Sequence, residues 1–219
     1  MSITPSWTKS WSAADDGTIL GGADLSNIQT NVGTALTKAY DLTASNTFTG
    51  SGIPYRTIVL TPGGAITPSA NGVDKSTTDG TNFSYQTMDF DNTVDQIAYW
   101  VFKVPGSLTS TTAEVSILWT AAAGTVGDEV QFEVSAGGRA NDEVIDTALG
   151  TAVELDDALI ATGDLHITSA VTLTHGWVAD DLAIVKLIRD VDGPSGTDLA
   201  QDAKVLGLII EWKAGSSTD

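Results

Sequence analysis

Two stretches near the C-terminal end decide the fold: DLAIVKLIRD at Asp181–Asp190 and AKVLGLIIEWK at Ala203–Lys213. Side chains alternate along both, and the positions on both faces of the alternation are mostly apolar. Strands of this kind are typical of the centre of a sheet that is covered on each side. The connection VDGPSGTDLAQD is rich in the residues that form turns. The chain is therefore expected to end in a deeply buried pair of strands that earlier segments cover.

Similar alternation is found upstream, from about residue 83. Val130, Phe132 and Val134, for example, alternate with Glu, Gln and Ser. Further strands are predicted at Phe83–Phe90, Ile97–Val104, Ala113–Thr120 and 165–173, and at Thr151–Leu155 within a segment, 147–160, whose pattern also fits a helix. Short strands separated by turn residues predict a mainly β fold, an antiparallel β-sandwich of jelly-roll type.

The first 82 residues differ in composition from this predicted sandwich. Residues 1–45 are interpreted as an extended anchoring segment followed by a short helix, and residues 83–219 as a β-sandwich knob. Residues 46–82 between them are rich in Thr, Ser, Gly, Asn and Pro. They are interpreted as a loop-rich linker or subdomain, with one short strand at Arg56–Leu60.

The N-terminal segment contains two sets of apolar residues that need a partner surface. Trp7 and Trp11 lie in a polar stretch, so they are expected to dock on this chain or on another protein. A heptad-like seam follows, formed by Leu25, Ile28, Val32, Ala35, Ala39 and Leu42, with Leu36 counted among its larger members. The seam is too short to form a stable coiled coil alone. Either copies of the helix cluster, or one amphipathic helix packs into an intramolecular core.

The charge of the chain excludes one class of partner. There are 28 acidic and 10 basic residues, which give a formal net charge of −18. Because binding to nucleic acid depends on Lys and Arg that neutralise phosphates, we expect no nucleic-acid partner. The acidic surface is explained by solubility, with a basic docking partner as the alternative. No apolar run is long enough to cross a membrane, and the N-terminus lacks the apolar core of a secretory signal.

Catalytic and metal-binding motifs are absent from the sequence. It contains no GxSxG, GxxxxGK[ST], GxGxxG or HExxH pattern and no cysteine. We therefore expect no enzymatic activity and no cofactor. The loop that contains Asp190, Asp192 and Asp198 resembles half of a calcium loop but lacks the remaining ligands, so a solvated turn is favoured over a calcium site. Acidic pairs such as Asp156-Asp157 leave glycoside hydrolysis as a remote alternative.

The aromatic and imidazole side chains are given structural roles. Trp100, Trp119, Trp177 and Trp212 lie in or beside apolar strands, which favours the core over a sugar-stacking platform. Leu165 and Ile167 are predicted to face the core, which places His166 on the polar face of its strand. His175 lies in the turn LTHGW, and both histidines are expected to be exposed or hydrogen-bonded.

Both ends of the chain resemble appendage proteins of tailed bacteriophages. The segment from Trp7 to Ile28, with Ile19-Leu20 and Ala23-Asp24-Leu25, is similar to the start of fibre proteins, where a Trp-containing segment runs into a short helix. The segment from Trp177 to Trp212 is similar to the β-sandwich knobs of head-fibre and decoration proteins. Its matching residues are Trp177, Asp181, Leu182, Ile188, Arg189, Asp190, Asp198, Leu199, Asp202, Ala203, Leu206, Gly207, Ile210, Glu211 and Trp212.

The resemblance implies a structural protein of the virion. It implies a homotrimer that docks on the major capsid protein or another virion component through Trp7, Trp11, Ile19 and Leu20. Leu25, Ile28, Val32 and Leu36 would then form the trimer seam, and the β-sandwich would project as a knob. Two alternatives stay open: a tail-fibre or receptor-binding module that contacts host-surface glycans, and, more weakly, a carbohydrate-active enzyme.

The mass in solution tests the predicted trimer. The monomer is 22.7 kDa, so three copies give about 68 kDa. We expect light scattering to find this mass for the full chain. If a chain lacking residues 1–45 is also trimeric, the contact lies in the knob; if only the full chain is trimeric, it lies in the helix. A monomer in both measurements would contradict the prediction.

Overall fold

The computed structural model describes residues 55–194 and 196–214. These residues form eleven β-strands. They are β1 (Tyr55–Leu60), β2 (Asp74–Asp79), β3 (Ser84–Phe90), β4 (Gln96–Lys103), β5 (Thr112–Thr120), β6 (Glu129–Arg139), β7 (Val153–Ala158), β8 (His166–Ile167), β9 (Val171–Thr174), β10 (Leu182–Asp190) and β11 (Ala203–Lys213). A 3-10 turn, Pro62–Gly64, follows β1. The helix and anchor predicted within residues 1–45 lie outside the described residues.

The strands form two antiparallel sheets, which confirms the predicted mainly β sandwich. In the larger, seven-stranded sheet, β11 pairs with β5 on one side and with β3 and β1 on the other. The strand β2 lies beyond β3, and β8 and β9 lie beyond β5. The smaller sheet has the order β4-β10-β6-β7. Each sheet therefore has one of the two long apolar strands near its centre.

The two C-terminal strands do not pair with each other, contrary to the expected buried pair. The strand β10 belongs to the smaller sheet and β11 to the larger, and residues 191–202 cross between the sheets. Nor are both of their faces covered: Ala183, Val185 and Leu187 are fully buried, whereas Leu182 and Ile184 are only half-buried. Only the inner faces of β10 and β11 pack in the core, and their outer faces lie at the surface of the sandwich.

The core lies between the two inner faces. Three residues of β5 and three of β6 are fully buried, as the alternation along each strand predicts. They are Val115, Ile117 and Trp119 in β5, and Val130, Phe132 and Val134 in β6. Phe90 and Phe132 join the two sheets edge to face, with ring centroids 6.0 Å apart. Each such large apolar side chain stabilises the fold by roughly 1.5–3 kcal/mol.

Part of the predicted linker belongs to the sandwich. The strand β1 confirms the short strand expected at Arg56–Leu60, and it pairs with β11 over six residue pairs. The strand β2 pairs with β3, and the segment between β1 and β2 follows the edge of β4 through bridges at Ile66 and Gly72. The polar composition of these residues reflects edge positions, where one face and one side of the strand meet solvent.

The faces of β8 are reversed relative to the prediction. His166 is 4 % exposed, whereas Leu165 and Ile167 are 59 % and 56 % exposed. The imidazole of His166 stacks on Trp119 at 4.6 Å, and its Nε2 lies 3.0 Å from the carbonyl of Ala161. The Thr168 hydroxyl accepts the backbone N–H of Ile117. These polar contacts with β5 decide which face turns inward.

A buried arginine holds the crossing between the sheets. Arg189 of β10 is fully buried, and its guanidinium donates to the carbonyls of Phe90 (3.2 Å), Gln201 (2.7 Å) and Leu199 (2.6 Å). It also forms an ion pair with Asp198 at 3.4 Å. Burial lowers the pKa of Arg189, and the charge of Asp198 opposes that effect. The guanidinium thus connects β3, β10 and the segment that leads into β11.

Within the described residues, no helix has the length and apolar character of a membrane span.

Replacing Arg189 with methionine should destabilise the fold. The substitution Arg189→Met leaves buried carbonyl groups without a donor, and we expect a loss of about 3 kcal/mol in the free energy of unfolding. Urea denaturation measures this loss. The matched control is Lys103→Met, because the Lys103–Asp180 pair is 72 % and 69 % exposed and contributes little. Equal stability of the two variants would contradict the role given to Arg189.

Candidate functional site

The outer face of the smaller sheet carries a row of side chains from neighbouring strands. In register, Ile66 lies opposite Tyr99, Tyr99 opposite Lys186 and Lys186 opposite Ser135. Directly opposed residues of antiparallel strands point to the same face. The flanking Ala98 and Trp100 are buried in the core, so Tyr99 points outward. We call Tyr99, Lys186 and Ser135 the floor row.

A loop between β6 and β7 forms a wall beside the floor row. Arg139, at the end of β6, holds this loop through its backbone carbonyls. Its Nε donates to Ile145 at 3.0 Å, and one terminal nitrogen donates to Thr147. The other terminal nitrogen donates to Gly138 at 2.6 Å. Because one side chain binds three carbonyls, the loop is fixed relative to the sheet.

Two glycines allow the wall to lie close to the sheet. A Cβ at Gly137 would lie 3.1 Å from the side chain of Leu149, which is ordinarily too close for an unadjusted contact. Gly137 is opposite Ile184 in β10, so Leu149 lies over the row next to the floor row. The N–H of Gly150 donates to Ala136 at 2.8 Å and returns the chain to the edge of the sheet.

Floor and wall enclose a groove of about 600 Å³. Its lining consists of Tyr99, Ser135, Ile145, Asp146, Thr147, Ala148, Leu149, Gly150, Ala152, Ile184 and Lys186. The volume falls within the usual range for small-ligand sites, and apolar surface combined with a few polar groups is typical of such sites. We call this cavity the outer groove.

The polar groups of the outer groove have both signs of charge. Lys186 forms no ion pair with any residue that the structure describes. Asp146 is exposed on the wall. Glu133, the next outward-facing residue of β6 beside Ser135, has a pKa above its usual 4.5 because of burial and the nearby carboxylates of Asp190 and Glu154. The groove can therefore both donate and accept hydrogen bonds, in surroundings that are mainly acidic.

The four tryptophans of the knob lie in the core and not in a sugar-stacking platform, as the sequence favours. Trp100, Trp119, Trp177 and Trp212 are all 5 % exposed or less. His175 is also fully buried, in contact with Trp177 at 4.4 Å between ring centroids. Burial lowers the pKa of His175 to about 4, so its imidazole is neutral near pH 7.

The candidate calcium ligands have other partners. The carboxylate of Asp198 contacts Arg189, and that of Asp190 accepts the backbone N–H of Asp192 at 3.0 Å. No group of three His, Cys, Asp or Glu within the described part of the chain could hold a metal ion. The acidic pair Asp156-Asp157 is likewise engaged, with Gln131 and with the indole of Trp119.

The predicted anchor and seam residues lie outside the described residues: Trp7, Trp11, Ile19, Leu20, Leu25, Ile28, Val32 and Leu36. Tyr99, Lys186 and Arg139 are not among the site residues that the sequence predicts. One feature of the sequence could have pointed to two of these residues: Tyr99 and Lys186 each place a polar group on the outer face of an otherwise apolar strand. The pairing of β4 with β10 is needed to bring the two together.

Comparisons with known proteins find similarity to solved structures only. No protein-family model matches the sequence, and no curated protein matches it. A CBM35 from Cellvibrio japonicus Abf62 is 13 % identical over 72 % of this chain and 97 % of its own, with a TM-score of 0.41. A family 11 carbohydrate-binding module from Clostridium thermocellum is 11 % identical over 75 % of this chain and 92 % of its own, with a TM-score of 0.33.

A third similar structure contains the CBM22-1 and GH10 modules of the xylanase Xyn10B from Clostridium thermocellum. It is 10 % identical over 72 % of this chain and 28 % of its own, with a TM-score of 0.39. At these identities and TM-scores the likeness does not extend to function.

The raised pKa of Glu133 predicts a pH-dependent stability difference. Its folded carboxyl binds a proton more tightly than the unfolded one, so its contribution to stability falls as pH rises above about 4.5. Asp190, Glu154 and Asp95 raise this pKa, and Lys186 opposes them.

The substitution Glu133→Gln removes the ionised form. We expect it to raise the free energy of unfolding by up to about 0.5 kcal/mol at pH 7 and to leave it unchanged near pH 4. Urea denaturation at both pH values measures the difference. Asp164→Asn, at an exposed position between β7 and β8, is the control. An equal gain in the free energy of unfolding at both pH values would contradict a raised pKa of Glu133.

Proposed function

We propose that this chain is a non-enzymatic binding protein of a bacteriophage appendage, whose β-sandwich knob binds a glycan of the host surface in the outer groove. One observation carries the proposal: Tyr99 lies in the groove floor, between apolar residues and groups that donate or accept hydrogen bonds. The face of a tyrosine ring packs on apolar C–H surface, and its hydroxyl group still forms hydrogen bonds.

The groups around Tyr99 suit a ligand with many hydroxyl groups. Lys186 donates hydrogen bonds, Asp146 accepts them, and the Ser135 hydroxyl does both. Sugar hydroxyls are themselves both donors and acceptors, so each group finds a partner. The net charge of −18 and the acidic neighbours of Glu133 disfavour a polyanion. The ligand that fits best is an uncharged saccharide.

The appendage part of the proposal is supported by the sequence. Both ends of the chain resemble phage fibre and decoration proteins, in Trp7–Ile28 and in Trp177–Trp212. A knob on an anchored appendage would present the outer groove to a host surface. Attachment to the virion would then be the task of the N-terminal segment, and recognition the task of the sandwich.

A second candidate function is that of a homotrimeric capsid decoration protein. It is supported by the outer face of the larger sheet. On the outer face of the larger sheet, Val59 lies opposite Ile209, and in the next row Leu118 lies opposite Ile167. Val59 is 48 % and Ile167 is 56 % exposed. An apolar band across several strands is suited to burial against a second copy of the knob. Under this reading the knob needs no glycan.

Glycan binding by matched variants tests the proposed function. The full chain is applied to an array of bacterial-surface glycans, and the affinity for any bound glycan is then measured by calorimetry. We expect Tyr99→Ala to weaken binding by at least about tenfold, which corresponds to about 1.4 kcal/mol. The control is Tyr85→Ala, at a half-buried tyrosine on the larger sheet, which should bind as the unmodified chain does. An array without bound glycans, or equal losses in the two variants, would contradict the proposal.

A further inference from the structure

A second cavity of about 630 Å³ lies beside the outer groove. Its lining consists of Ala136, Gly137, Gly138, Arg139, Gly150, Thr151, Ala152, Val153, Thr172, Thr174 and Gly176. These residues come from β6, from the loop before β7 and the start of β7 in the smaller sheet, and from β9 of the larger sheet and the turn that follows it. The cavity therefore lies along the side of the sandwich, where the two sheets meet. We call it the lateral cleft.

The lateral cleft is shaped by close backbone contacts. A Cβ at Gly138 would lie 2.7 Å from the carbonyl oxygen of Gly176, so no larger residue fits there without movement. A Cβ at Gly150 would lie 3.2 Å from the Ala136 oxygen and 3.6 Å from the Thr174 oxygen. Apolar surface thus forms more than half of the wall, and backbone oxygens such as that of Thr174 contribute polar groups. Groups of this kind hydrogen-bond to hydroxyls without contributing charge.

A low ridge separates the lateral cleft from the outer groove. Gly150 and Ala152 line both cavities, and Thr151 between them is exposed. No side chain of this ridge is larger than threonine, so an extended ligand can cross it.

We infer that the outer groove and the lateral cleft are two parts of one site for a linear oligosaccharide, which crosses the ridge at residues 150–152. This inference rests on the proposed function and adds the size and shape of the ligand. Tyr99 and Lys186 contact one end of the oligosaccharide, and Thr174 and the backbone of the cleft contact the other. A single terminal sugar would occupy the outer groove alone.

The affinity for saccharides of increasing length tests the inference. The probes are linear oligosaccharides of glucose, galactose and xylose, from two to six sugars, titrated into the full chain by calorimetry. We expect the affinity for the best-bound sugar type to rise by at least about tenfold between two and six sugars. The substitution Thr174→Trp fills the cleft and should abolish this rise without changing the affinity for two sugars.

Two further variants make the result interpretable. Thr77→Trp, at an exposed position of β2 on the larger sheet, is the matched control and should keep the full length dependence. Thr151→Trp places the same bulk on the ridge and replaces Thr174→Trp if that variant does not fold. An affinity that stops rising at two sugars, or a Thr174→Trp variant with unchanged affinity for six sugars, would overturn the inference but not the proposed function. Absence of binding to every probe would overturn the inference, whereas the proposed function is decided by the array of bacterial-surface glycans.

Discussion

The buried guanidinium of Arg189 is the interaction on which the rest of the sandwich depends. Burying a charged guanidinium costs folding free energy unless hydrogen-bond acceptors and an opposite charge compensate it. The carbonyls of Phe90, Leu199 and Gln201 accept hydrogen bonds from its two terminal nitrogens, although its Nε has no partner among the described residues. This requirement fixes where the chain leaves the smaller sheet and where it joins the larger one. Once β11 is placed in this way, its two sides determine the positions of β5, β3 and β1.

Alternation along the sequence predicts the inner faces of the strands but not their partners. The apolar sets of β5 and β6 were identified because each strand has one fully buried face, which makes the period unambiguous. The inner faces of β10 and β11 are harder to predict. Half-buried apolar residues on their outer faces, such as Ile184 and Ile209, look like a second core face in the sequence. Whether two such strands are neighbours or face each other is a question of long-range pairing, and periodicity does not contain that information.

Composition misled the prediction in two regions for physical reasons. The strands β1 and β2 are rich in polar residues because edge and outward positions meet water, so they resembled a linker. At β8 the apolar residues Leu165 and Ile167 face outward, since the His166 ring stacks on Trp119 and Thr168 bonds to β5. The candidate site was missed for a similar reason. Its floor combines Tyr99 and Lys186 from strands far apart in sequence, and its wall depends on one arginine.

The pairing of β1 with β11 has a consequence for how the knob bears mechanical load. Tyr55 lies opposite Lys213, so the start of β1 and the end of β11 lie at the same end of one strand pair. A force applied between these two points peels the pair apart, one hydrogen bond after another. A force that pulls Tyr55 along the axis of β1, against a load held elsewhere on the sandwich, shears the six residue pairs together. The sandwich is therefore expected to resist a pull on Tyr55 along β1 better than a pull between Tyr55 and Lys213.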